Sequence, residues 1–97
     1  MSTSKDDTIL ALWEARLRER GLMPKTIAKK MNMTRAAMAY ARDHNWPEDP
    51  AKFGEAEIEA YRKSLSNRAY PTQMFHLENL NQFVNWARSK GSQEGDR

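Results

Sequence analysis

His44 and His76 are the only imidazoles in this chain of 97 residues, and cysteine is absent. A structural zinc site draws on four Cys or His ligands, so this set falls short of one. No disulfide can form either. Glu55, Glu57 and Glu59 alternate along one stretch, a pattern that fits a solvated helix start rather than an acid–base pair. No Ser or Thr has an evident histidine partner for nucleophilic catalysis. Gly21, Gly54, Gly91 and Gly95 are too scattered to form a phosphate-cradling loop. No cofactor, no metal and no complete enzyme are expected. The chemistry that remains is that of Lys and Arg, which neutralise phosphates, and of Asn and Gln, which read base edges.

The distribution of charge sharpens this. The net charge is only +3. Yet residues 16 to 42 hold eight basic residues against Glu19 alone, a net +7. Residues 43 to 59 hold six acids against Lys52, a net −5. Arg62, Lys63 and Arg68 follow with no acid before Glu78. Two basic segments flanking an acidic one can fold into a single positive face, the footprint of a polyanion partner.

The elements that must position these residues read as helices. Ile9, Leu10, Leu12, Trp13 and Leu17 recur at helical spacing, and Gly21 is a good stop. Pro24 suits the first turn of a second helix. Ile27, Met31, Thr34, Met38 and Ala41 draw one buried stripe along it, with Lys25, Lys29 and Asn32 on the opposite side. Pro47 and Pro50 end it. A third helix is expected from Gly54 to Leu65, burying Ile58, Tyr61 and Leu65. A fourth opens at Pro71 or Thr72 and runs to about Ser89, with Met74, Leu77, Leu80, Phe83, Val84 and Ala87 inward. The fold class is all-α, a compact four-helix orthogonal bundle over residues 8 to 90. Residues 1 to 7 and 91 to 97 are expected to be flexible tails. No apolar run approaches the roughly 20 residues of a membrane span, and the first residues lack the apolar core of a signal peptide. The expected location is therefore cytoplasmic.

Three stretches, in order, resemble one family. Glu19 to Ile27 looks like the R-G-L-S-x-x-T-I/L junction between the first two helices of the core-binding domain of tyrosine recombinases, the SAM-like N-terminal domain of phage integrases. Phe53 to Leu65 resembles its x-x-E-D-I-x-x-Y-L-x-x-L third helix. His76 to Ala87 resembles its closing R-L-x-x-L-R-x-F-F-x-W-L helix. Lys30 departs from that pattern where an aromatic is common, and Thr34 where Leu is common. The turn from Asn67 to Pro71 sits about one residue out of register with the family's G-x-S-P-x-T.

The resemblance implies a domain that clamps double-stranded DNA near a recombination site, using its second and fourth helices. Lys25, Thr26, Lys29 and Asn32 would then face DNA from helix two, and Gln73, His76 and Asn79 from helix four. Asn67 and Arg68 would join from the turn between helices three and four. The family's catalytic set of Tyr, two Arg, Lys and His, with its His-x-x-Arg element, is not matched here. His44 is followed three residues on by Pro47, and His76 by Asn79. A catalytic domain after the C-terminus and other recombinase protomers are the partners so implied, with no membrane. Lys90 to Arg97 would begin the interdomain linker.

Two other readings stand beside this one. Thr26 to Met38 also fits a helix-turn-helix motif, I-A-x-x-L-G-V-S-x-x-x-V, with Asn32 at the turn and Arg35 and Arg42 on the recognition helix. That reading requires a break near Asn32, where the recombinase reading requires one continuous helix. A SAM-like protein-interaction module would instead use Trp13, Trp46 and Trp86 as anchors.

Overall fold

Gly21 and Pro24 together make the first corner of the chain. Gly21 adopts φ +76°, a left-handed conformation that glycine reaches without a Cβ clash. Pro24 opens the next helix with its φ already set. In the computed structural model, which describes residues 5 to 47 and 49 to 95, these two residues separate α1 (Lys5–Glu19) from α2 (Pro24–Asp43). A second left-handed residue, Asn45 at φ 58°, ends α2. It lets the Trp46 N–H reach back to the Ala41 carbonyl at 2.9 Å. A short 3-10 turn at Pro50–Lys52 leads into α3 (Glu55–Ser64), and α4 (Tyr70–Gly95) closes the chain. The protein is an all-α four-helix bundle, with no strand among the described residues.

α2 is continuous through Asn32. The break that a helix-turn-helix requires is absent, so that reading does not describe this chain. The expected stripe on α2 is the one buried: Ile27, Met31, Thr34, Met38 and Ala41 are all inside, joined by Ala37.

The ends differ from expectation. α1 begins at Lys5, so residues 5 to 7 of the expected N-terminal tail are helical. α4 runs through Ser89 and Gly91 to Gly95. A glycine inside a right-handed helix costs about 1 kcal/mol relative to alanine but does not stop it. Stopping takes the left-handed conformation that Gly21 has. Of the expected tails, residues 1 to 4, 96 and 97 lie outside the described residues.

Met74 is the core expectation that fails, being 47% exposed. Met74, Leu77 and Leu80 step by three, and each such step falls about 60° short of a full turn. Met74 thus sits about 120° around α4 from Leu80, off the inner face. Leu12, expected inward on α1, is 41% exposed for want of an inner neighbour at its angle, while Trp13 and Leu17 are fully buried.

The core is stitched by one hydroxyl. Thr34 Oγ1 donates to the Lys30 carbonyl at 2.8 Å. It accepts from Trp13 Nε1 at 3.1 Å and from Asn79 Nδ2 at 2.8 Å. Trp13 then packs on Phe83 and Trp86 of α4, with ring centroids 5.4 and 5.3 Å away. Thr34→Val keeps the shape but strands two buried donors, each costing about 1–3 kcal/mol. The expected loss of unfolding free energy is about 2–4 kcal/mol in urea denaturation followed by circular dichroism, with Thr34→Ser losing much less. A Thr34→Val loss under about 0.5 kcal/mol would show that the hydroxyl does not hold the helices together.

Candidate nucleic-acid interface

The inward stripe of α2 fixes what faces outward. Lys25, Thr26, Lys29, Asn32 and Arg35 are all exposed. The first turn of α2 carries no acidic residue and no side-chain cap from Met23. The positive end of the helix dipole therefore stands uncompensated beside Lys25. Lys29 Nζ lies 4.7 Å from the centroid of the Phe75 ring on α4, within cation–π range. Lys30, half-buried, donates to Gln82 Oε1 at 3.2 Å and ties the same two helices together.

Asn32, close to Lys25 around the helix, and Arg35 border the α1 side of α2. They bond to each other, Arg35 Nη1 to Asn32 Oδ1 at 3.4 Å. Both line an open groove of about 610 Å³ between α1 and α2, opposite Glu14 and Arg18. Arg18 is held by Glu14 at 2.8 Å. The cations expected on one face thus divide between the α4 side of α2 and its α1 side.

The three residues expected to reach DNA from α4 do not join Lys25 and Lys29. Asn79 is buried, 1% exposed, and its amide donates to Thr34. Its Oδ1 is enclosed with no hydrogen-bond partner. Asn79 is therefore a core residue, and the expectation that it contacts DNA is overturned. Gln73 is half-buried and donates to the Arg68 carbonyl at 2.8 Å, bracing the start of α4. His76 is half-buried near Tyr61, with ring centroids 6.4 Å apart and its Nδ1 enclosed and unpartnered. The cause is their angle around α4. Gln73 and His76 fall within the arc of α4 that Leu77, Leu80, Phe83, Val84 and Ala87 cover, and Asn79 lies about 40° beyond its edge, on the side that meets Thr34. The α4 residues that do stand beside the outer face of α2 are Phe75 and Gln82, which the sequence reading missed. Phasing α4 on Leu80, Phe83 and Ala87 would have found them.

Asn67 and Arg68 are exposed in the turn between α3 and α4, as expected. Arg68 has no carboxylate partner among the described residues, nor have Lys25 and Lys29. Arg16, Arg18 and Arg62 are each paired within their own helix, with Glu19, Glu14 and Glu59. Two of the acids of α3 are likewise spent locally: Glu57 accepts from the Gly54 N–H at 2.7 Å, and Glu59 binds Arg62. That bond holds the Glu59 carboxyl below its ordinary pKa.

Among the described residues, no group of three or more His, Asp or Glu is placed to hold a metal ion, and no helix is long and apolar enough to cross a membrane. Trp13 is fully buried, and Trp46 and Trp86 pack half-buried against the core, so none of the three stands free as an interface anchor.

Burial, and then the positive charge of Arg68, hold the His76 pKa below its ordinary value. The folded protein therefore favours neutral His76, and the unfolded chain binds the proton more readily. This contribution to stability is complete above the unfolded pKa of about 6.5. It is lost as pH falls through that value towards the lower folded one. The urea midpoint should fall between about pH 7 and pH 5.5, and His76→Gln should flatten that slope. An unchanged slope in the variant would remove His76 as its source. No family model matches the chain, and no curated protein or solved structure matches it.

Proposed function

We propose that this protein is a double-stranded DNA-binding module, of the kind that forms the non-catalytic clamp domain of tyrosine recombinases. The observation that carries the reading is the contrast in pairing. Lys25, Lys29 and Arg68 are exposed and lack carboxylate partners among the described residues, as do Arg20, Arg35, Lys52, Lys63 and Arg88, while only Arg16, Arg18 and Arg62 are seen paired in place. Unpaired exposed cations suit phosphates, whose counterions they release on binding. The unbroken α2 and the three ordered sequence motifs agree with the clamp-domain form of this reading. Lys25, Lys29 and Arg68 meet phosphates, which position the protein without reading sequence. Thr26 and Asn67 are the exposed polar neighbours left to meet sugar or base edges. With Asn79 and Gln73 committed to the fold, base readout from α4 is reduced, and modest sequence specificity follows.

Binding of a labelled mixed-sequence duplex should weaken steeply with salt. The double variant Lys25→Glu, Lys29→Glu should bind at least about tenfold more weakly. Its salt slope should be shallower by about two, since each phosphate contact contributes about 0.9. Unchanged affinity and slope in that variant would place the interface elsewhere. No binding by the unaltered protein at low salt would overturn the DNA reading itself.

A further inference from the structure

Phe75 is left unexplained by core and phosphate contacts alike. Its side chain points out of α4 and is 53% exposed, with Tyr70 71% and Met74 47% exposed beside it on the first turns of the same helix. Tyr70 and Met74 lie one turn apart on one side, and Phe75 follows about 100° around. The Lys29 ammonium lies 4.7 Å from the Phe75 centroid, so one aromatic surface and one phosphate-binding cation occupy the same spot.

We infer that this patch takes DNA with unpaired bases, a base stacking on Phe75 while Lys29 meets the adjoining phosphate. This deepens the DNA-binding reading and rests on it. A paired base keeps its faces inside the stack and offers a protein only its edges. An exposed ring gains stacking energy only from a base whose face is free. Tyr70, five residues before Phe75, lies about 7.5 Å away along the axis but about 140° around α4, so Phe75 is the one ring of the patch that stands beside Lys29. The charge around the patch agrees. Lys29, with Lys25 one turn before it on α2, lies on one flank, and Arg68 precedes Tyr70 by two residues. Glu78, exposed one turn beyond Phe75, bounds the patch with negative charge. The strand therefore runs from Phe75 towards α2 rather than down α4.

The test compares two labelled DNAs of about 20 base pairs with the same flanks, one fully paired and one with about five unpaired bases at its centre. The intact protein should bind the second about 5- to 30-fold more tightly. Phe75→Ala should erase that preference while leaving affinity for the paired duplex and its salt slope in place. Phe75→Trp should keep the preference and show indole quenching on binding the unpaired DNA. Equal affinity for the two DNAs in the intact protein, or a preference that survives Phe75→Ala, overturns this inference and leaves duplex binding standing. No binding to either DNA overturns both.

Discussion

The Thr34 hydroxyl is the point on which the three longer helices meet. A hydroxyl has one proton to give and two lone pairs to share, and here all three are used. The proton goes to the carbonyl of Lys30 one turn back, and the lone pairs receive α1 through Trp13 and α4 through Asn79. A buried hydroxyl left half-satisfied would weaken the core; a saturated one fixes the depth and rotation of each helix around it. That rotation has an outward consequence. With Thr34 locked inward, Lys25 and Lys29 must point to solvent, and Phe75 must lie beside them.

A second set of contacts holds the far end. Tyr40 stacks on His44 at 3.9 Å between centroids and meets Tyr61 edge-on at 5.2 Å. Trp46 meets Phe53 edge-on at 4.9 Å. Arg88 of α4 donates to the carbonyls of Ala51 and Phe53, which gives partners to backbone groups of the 3-10 turn. Of the acids near it, Asp49 caps the 3-10 turn, Glu57 accepts from the Gly54 N–H and Glu59 pairs with Arg62.

The candidate interface was legible where it lay on a strongly patterned helix. On α2, five apolar or small residues at alternating steps of four and three left no choice of phase, and Lys25 and Lys29 followed from it. On α4 the pattern was broader. Leu77, Leu80, Phe83, Val84 and Ala87 spread over about a third of the helix circumference, against less than a quarter for the stripe of α2, which leaves the phase looser. Gln73 and His76 fall within that arc and Asn79 about 40° beyond it, but their polar side chains read as outward. The structure places Asn79 inside because Thr34 offers it an acceptor, and Thr34 is itself a departure from the Leu that the resembling pattern carries there. One polar substitution on α2 thus accounts for one buried amide on α4, a relation between residues 45 positions apart.

The sequence alone determined the number of helices, the corners at Gly21 and Pro24, the inner face of α2 and the segregation of charge. Each is local, resting on backbone preference or on a period of 3.6 residues. It also bounded the chemistry, because a chain without cysteine and with two distant histidines offers little for a metal or a nucleophile. Only the tertiary structure decided which polar residues belong to the core, where α4 turns its aromatic residues, and which cations lack a carboxylate partner. Those outcomes depend on what each side chain meets across a helix interface. A hydrogen bond or ion pair between distant segments lowers the free energy only when both groups arrive together, and no local pattern encodes that meeting.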